Sequence, residues 1–130
     1  MNSEEVYAMC MEFPYAQATF PFDDSTLVFK VGGKMFALYP LEKPNFILVK
    51  CDPERAIELR ERYPEINAAW HMNKKHWNQI DLTSSLSHSF IKELVAHSYD
   101  LVMAKLPRKT KDELNIKYPT HGTILHPSTL

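Results

Sequence analysis

The sequence predicts a mixed fold of helices and strands, in the order helix, three strands, helix, two strands, helix. Two observations lead to this prediction. Segments with apolar residues at helical spacing alternate with short runs rich in β-branched and aromatic residues. Gly32-Gly33 separates two of those runs in the manner of a tight antiparallel hairpin. At 130 residues, 45% of them hydrophobic, the chain has the size and composition of one globular domain with one core.

The first helix is predicted to begin at Asn2 or Ser3 and to end before Pro14. Either side chain can accept a hydrogen bond from the first free amides of a helix, and two glutamates that follow favour the positive end of its dipole. Apolar side chains then recur at helical spacing, namely Val6, Met9, Cys10 and Phe13. Residues 21–25, with a proline and two aspartates, predict a loop.

Residues 27–31 and 34–39 are predicted to pair as a hairpin, because both glycines between them can take the positive φ that a two-residue turn needs. If the residues that flank the glycines lie opposite each other, Phe29 faces Phe36 on the buried side of the pleat. The apolar run within residues 45–50 predicts a third, buried strand.

The second helix is predicted to begin at Asp52-Pro53-Glu54 and to end at about Tyr63. The aspartate caps the free amides, the proline needs no hydrogen bond at the first position, and the glutamate complements the dipole. Residues 66–72 and 77–82 are the predicted fourth and fifth strands, with residues 73–76 as their connection.

The last part of the chain is predicted to be helical up to a tail. Ser87 caps the longest helix, residues 88–105, and Thr110 fits the first position of a capping box for one more short helix. One domain is therefore predicted over residues 1–118. Residues 119–130 lack periodicity and contain glycine and proline, so they are predicted to be a flexible tail.

The net charge of −1 conceals an uneven distribution. Residues 1–65 carry seven Lys/Arg and eleven Asp/Glu, whereas residues 66–111 carry seven and three. The second stretch permits an anionic partner, although an ordinary solvated surface gives the same pattern. The sequence has no apolar run that would span a membrane and no basic start of a signal peptide, so a cytoplasmic location without a membrane is expected. Cys10 and Cys51 are then expected to be reduced.

The stretch from Trp70 to Trp77 holds both tryptophans, two histidines and two adjacent lysines. It is the densest group of aromatic, cationic and titratable side chains in the chain. His71 and His76 lie five residues apart, which does not align them on one helix face, and a third ligand is absent nearby. The stretch therefore predicts a recognition surface and no metal site.

Catalytic patterns are weak throughout the sequence. Glu93, His97 and Asp100 fall along one side of the predicted long helix, where a carboxylate can orient an imidazole, but any solvated helical face produces this spacing. The sequence contains neither a nucleophile elbow nor a phosphate-binding glycine loop followed by a helix. No catalytic residue and no cofactor are predicted, and an enzyme is not expected.

Nucleic-acid binding has better candidates, because lysines neutralise phosphates and an exposed indole stacks on a base. The candidate residues are His71, Asn73, Lys74, Lys75, His76, Trp77, Lys105, Arg108, Lys109 and Lys111. The opposing interpretation is that Trp70 and Trp77 are core or boundary residues, because large aromatic side chains are usually well buried. Lys74-Lys75 would then be a solvated turn.

Four segments resemble the MmcQ/YjbR-like family: Lys34-Met35-Phe36, Lys50-Cys51-Asp52-Pro53, His71 to Trp77, and Ser98-Tyr99. The resemblance covers roughly residues 1–107. It implies a compact two-layer α+β fold in which helices cover an antiparallel sheet, in the same element order as caps and periodicity predict. Members of this family are often labelled DNA-binding on structural analogy, so the resemblance implies DNA as a partner.

The function expected from these observations is a small non-enzymatic binding module with nucleic-acid contacts through its basic surface. The alternative is a protein-interaction adaptor or self-associating protein that does not bind nucleic acid. Abundant aromatic residues beside few catalytic groups support this second class.

Overall fold

The computed structural model describes residues 1–69 and 72–117. Within these residues the chain forms helices α1 (Ser3–Met11), α2 (Pro53–Arg62), α3 (His88–Ala104) and α4 (Arg108–Lys117), and strands β1 (Gln17–Thr19), β2 (Thr26–Val31), β3 (Lys34–Pro40), β4 (Phe46–Lys50), β5 (Ile66–Ala68) and β6 (Trp77–Asp81). The strands form one antiparallel sheet in the order β1-β2-β3-β4-β6-β5. Helix α3 packs across β3 and β4, and α2 packs beside β5. The predicted α+β fold is confirmed.

The three predicted helix starts are confirmed by their caps. Asn2 and Glu5 form a reciprocal capping box at α1. The Asp52 carboxylate accepts the Arg55 N–H at α2, and the Ser87 hydroxyl accepts the Phe90 N–H at α3. Each start is specified locally, because the capping side chain satisfies an amide that has no partner within the helix.

Several element bounds differ from the prediction. The edge strand β1 has only three residues and no alternating pattern, so the sequence did not indicate it. The fourth strand ends at Ala68 rather than at residue 72. Helix α4 begins at Arg108, where the Lys111 N–H donates to the Pro107 carbonyl, so the predicted start at Thr110 is wrong. The predicted tail, residues 119–130, lies outside the described residues.

The β2–β3 hairpin forms as predicted but contains a bulge. Gly32 and Gly33 have φ of 57° and 80°, and Val31 lies opposite Lys34. The register then shifts, so Phe29 lies opposite Ala37 and the predicted pairing of Phe29 with Phe36 is wrong. Phe36 is the extra residue of β3. Its ring still reaches the Phe29 ring, at a centroid separation of 6.4 Å, because a bulge turns the strand locally.

The core lies mainly between the helices and one face of the sheet, where Phe13, Phe36 and Tyr99 form a cluster of contacting rings. A second, smaller cluster lies on the opposite face. It contains Val28, Leu38, Ala69 and Trp77. Ala69, which precedes β6, therefore covers part of the second face, together with Met72.

Candidate functional site

A groove of about 570 Å³ opens at the end of the sheet where β3 begins and β4 ends. We call it the lysine groove. Its lining residues are Lys34, Lys50, Cys51, Asp52, Pro53, Asn73, His76, Trp77, Leu101, Val102 and Lys105. Three of the four segments that carry the family resemblance contribute to this lining. Residues far apart in sequence thus form one cationic, partly apolar concavity.

The hairpin glycines explain how Lys34 and Lys105 reach the same groove. A Cβ atom on Gly32 would lie 2.7 Å from Leu106 Cδ1, so the connection between α3 and α4 packs directly on the hairpin. Lys34 follows the hairpin and Lys105 caps the end of α3. The glycine permits a close approach that a larger residue would block.

Lys50 forms the inner part of the groove. Its ammonium lies 5.6 Å from the centroid of the Trp77 ring, and the residue is half-buried, whereas Lys34 and Lys105 are exposed. Burial lowers the pKa of Lys50, and the positive charges of Lys105 and Lys34 lower it further. The ammonium group of Lys50 is therefore repelled by those of Lys34 and Lys105, and an anion in the groove that all three line would be attracted by each of them.

A buried hydroxyl holds the backbone of Lys50. Beyond the pair Ala37–Val49 the next residues of β3 and β4 are Phe36 and Lys50. Between them the Ser98 hydroxyl accepts the Lys50 N–H at 2.8 Å and donates to the Phe36 carbonyl at 2.6 Å. Ser98, from the fourth segment of the family resemblance, thus bridges the strands where the Phe36 bulge opens the ladder.

The turn at residues 73–76 is ordered by hydrogen bonds. The Asn73 side-chain oxygen accepts the Lys75 N–H at 3.0 Å, and the Asn73 carbonyl accepts the amides of His76 and Trp77. From α2, the Arg60 guanidinium donates to the Lys74 carbonyl at 2.9 Å. Lys74 and Lys75 consequently project from a fixed turn, exposed but outside the groove lining.

His97 is used as a hydrogen-bond acceptor beside the groove. The Asp52 N–H donates to His97 Nε2 at 3.2 Å, an arrangement that needs this nitrogen unprotonated. Burial lowers the pKa of His97, the Arg55 charge lowers it further, and the carboxylates of Asp52 and Asp100 oppose this. Glu93, which the sequence places on the same side of α3 as His97, pairs instead with α2: its carboxylate lies 3.7 Å from the Arg55 guanidinium.

The Cys51 thiol, in the lining of the groove, is held in its neutral form. Burial raises the pKa of Cys51 to about 11, and the residue is 3% exposed. A thiolate is the reactive species of cysteine, so this environment does not activate it.

The structure brings together four of the ten residues predicted for nucleic-acid binding. These are Asn73, His76, Trp77 and Lys105, which line the groove. Lys74, Lys75, Arg108 and Lys109 are exposed outside it, and the Lys111 ammonium donates to the Ala104 carbonyl at the end of α3. His71 lies outside the described residues.

The Trp77 indole is buried, contrary to the expectation that it is exposed to stack on a base. It is 4% exposed and packs in the second cluster, so its ring face is not available to stack on a base. The alternative interpretation of Trp77 as a core residue is the one that the structure supports.

Sequence reasoning missed Lys34 and Lys50, which lie in the more acidic half of the chain. A count of charges along the sequence does not identify them, because they meet only in the fold. The start of antiparallel β3 and the end of β4 lie at the same end of the sheet, near Lys105. The family segments do contain both lysines, and this was the available signal.

In the portions 1–69 and 72–117, no group of three or more histidine, cysteine, aspartate or glutamate side chains is arranged to hold a metal ion. None of the helices in the same portions has the length and apolar character needed to cross a membrane.

Comparison with known proteins identifies the family. The YjbR family model matches residues 11–101. The uncharacterized protein YbdF of Escherichia coli O157:H7 is 33% identical over 107 residues, which cover 82% of this chain and 88% of YbdF. The uncharacterized protein YjbR of Escherichia coli K12 is 30% identical over 112 residues, which cover 85% of this chain and 95% of YjbR.

Two solved structures are similar to this chain over most of their lengths. The crystal structure of Deinococcus radiodurans protein DR2400, with the family-model domain DUF419, has a TM-score of 0.80 and 38% identity over 88% of each chain. A Pseudomonas syringae protein gives a TM-score of 0.67 and 27% identity over 78% of this chain and 99% of its own. The resemblance inferred from the four segments is confirmed: the chain belongs to the YjbR family.

Proposed function

We propose that this protein is a small non-enzymatic module that binds nucleic acid through phosphate contacts in the lysine groove. One observation carries the proposal, namely the convergence of Lys34, Lys50 and Lys105 in a single concavity. Lysine ammonium groups neutralise phosphates and release condensed counterions, which favours association with nucleic acid. With Asp52 counted and His76 neutral, the lining has a formal charge of +2.

The turn at residues 73–76 extends this surface. Asn73 and His76 line the groove, and Lys74 and Lys75 stand exposed between them on the same turn. A polyanion that occupies the groove would therefore meet two further ammonium groups at its rim. Arg60 supports this role, because its hydrogen bond fixes the turn before any ligand arrives.

Three features support a binding role over catalysis. The Cys51 thiol remains protonated because it is buried, His97 Nε2 is occupied by the Asp52 amide, and the Glu93 carboxylate faces Arg55. Cys51, His97 and Glu93 thus each have a structural partner or an environment that lowers their reactivity.

Fluorescence anisotropy titrations against single-stranded and double-stranded DNA, over a series of salt concentrations, test the proposal. Wild-type affinity should fall as salt rises. The double variant Lys34→Gln/Lys105→Gln should bind both DNAs more weakly and reduce the slope of log affinity against log salt by about 1–2, because each lost contact to B-DNA contributes about 0.9.

The matched control is Lys43→Gln, an exposed lysine in the turn beyond the opposite end of β3. It should bind as the wild type does. Absence of binding at low ionic strength would contradict the proposal, and so would a groove variant whose titrations match those of Lys43→Gln.

Self-association is the second candidate, and exposed aromatic side chains favour it. Phe20 and Phe22 are 49% and 65% exposed in the loop between β1 and β2, and Leu41 is 40% exposed. The Leu41 N–H donates to the Ser25 carbonyl at 2.7 Å, which holds the two loops together beside the edge strand. Exposed apolar groups that lie together often mark an interface.

Sedimentation velocity over a range of concentrations tests the second candidate. Self-association through these loops predicts a concentration-dependent dimer that Phe22→Ser abolishes. A monomer at every concentration would exclude this surface as a homodimer interface.

A further inference from the structure

We infer that the lysine groove takes a terminal phosphomonoester together with its attached nucleoside, and not an internal stretch of duplex backbone. This inference rests on the proposed function, since it specifies which part of a nucleic acid occupies the groove. Three properties of the groove carry it: its charge, its depth and the chemistry of its walls.

The charge of the groove matches a dianion. Its three lysines and one aspartate give a formal +2. A phosphomonoester carries about −1.5 to −2 near neutral pH, whereas each internal phosphate of a nucleic acid carries a single negative charge. Because the three ammonium groups are concentrated in one concavity, one dianion balances them better than a row of spaced single charges.

The depth of the groove favours a terminal phosphate over the internal backbone of a duplex. Lys50 is half-buried, with its ammonium over the ring of the buried Trp77, whereas Lys34 and Lys105 are exposed. A group must enter the groove to reach Lys50. A duplex that lies across the opening would contact Lys34 and Lys105 but leave Lys50 without an anion.

The walls suit a nucleoside. Leu101 and Val102 of α3 and Pro53 of α2 supply apolar surface beside the lysines. Pockets for small organic ligands span about 300–1,000 Å³ and combine apolar walls with a few placed polar groups. The groove, at about 570 Å³, falls within this range, and Asn73 and Asp52 offer polar groups for the sugar or base edge.

The experiment compares a short oligothymidylate that carries a 5′-phosphate, the same oligonucleotide with a 3′-phosphate, and the same oligonucleotide with neither. An unphosphorylated blunt duplex and free thymidine monophosphate complete the set. The wild-type protein should bind at least one of the phosphorylated ends about tenfold more tightly than the unphosphorylated strand, as expected for added charge-assisted hydrogen bonds. Lys50→Met should remove this difference, and Lys43→Gln should keep it.

Equal affinity for phosphorylated and unphosphorylated strands would overturn the inference while leaving the proposed function intact. Preference for the blunt duplex would do the same. Thymidine monophosphate binding that depends on Lys50, without oligonucleotide binding, would retain the phosphomonoester site and overturn the proposed function. If both bind, competition shows that one groove serves both. The comparison of phosphorylated and unphosphorylated strands on the wild-type protein needs no variant, so it tests the inference however Lys50→Met folds.

Discussion

Replacing Ser98 by alanine tests whether the hydroxyl of this α3 residue stabilises the fold by bridging the backbones of β3 and β4. The Ser98 side chain is fully buried and makes two hydrogen bonds, to the Lys50 amide and the Phe36 carbonyl. Alanine removes both partners and leaves two backbone groups unsatisfied, each at a cost of about 1–3 kcal/mol. The better helix propensity of alanine offsets about 0.5 kcal/mol. The two costs less this offset predict that Ser98→Ala lowers the free energy of unfolding by about 1.5–5.5 kcal/mol.

Urea unfolding followed by circular dichroism measures this loss. The midpoint should fall while the dependence of the free energy on urea stays unchanged, and Tm should fall by about 6 °C or more for a domain of this size. Ser89→Ala is the matched control, because Ser89 is exposed on the same helix, and surface substitutions usually stay within about 0.5 kcal/mol. A Ser98→Ala protein within about 0.5 kcal/mol of wild type would refute the bridging role.

Three further predictions concern the groove and its surroundings. Lys50→Met should raise the urea midpoint, because burial and two neighbouring lysine charges lower the pKa of Lys50 and so disfavour its charged form in the folded protein. Gly32→Ala and Gly33→Ala should each cost about 1–2 kcal/mol in urea unfolding for their positive φ, and Gly32→Ala should cost more, since its Cβ also meets Leu106. The lowered pKa of His97 means that the unfolded chain takes up a proton first as the pH falls through about 6.5, so stability should decline below that pH. His97→Gln should flatten this decline in a pH series of urea midpoints, and an unchanged slope would contradict the assignment.

Local signals predicted the helices because each signal acts within a few residues. Asn2, Asp52 and Ser87 cap the helices that they were expected to cap, since a capping bond joins residues three positions apart. The two glycines predicted the hairpin for the same reason. The register beyond Lys30 was not predicted, because no local signal marks the bulge at Phe36. The contacts of Phe36, to the Ser98 hydroxyl and to the rings of Phe13 and Tyr99, come from distant parts of the chain.

The site was predicted only in part, because its residues converge through tertiary packing. Asn73, His76 and Lys105 were identified from charge and density along the sequence, and the structure places them in the groove. Lys34 and Lys50 have no local signal of their own, since a lone lysine at a strand end is ordinary. Their role depends on the close packing of Leu106 on the hairpin, which is a contact between distant segments.

The family resemblance acquires a physical interpretation from this arrangement. Lys34-Met35-Phe36, Lys50-Cys51-Asp52-Pro53, the segment that ends at Trp77, and Ser98 all meet at the place where the β3–β4 ladder opens. A fold that needed only stability would be better served by a continuous ladder and an apolar residue at position 50, because the charged lysine is disfavoured there. Instead, Ser98 satisfies the opened strands and Lys50 remains half-buried among other cations. Structural cost concentrated at one concavity is typical of a binding site, which supports the ligand proposed for the lysine groove.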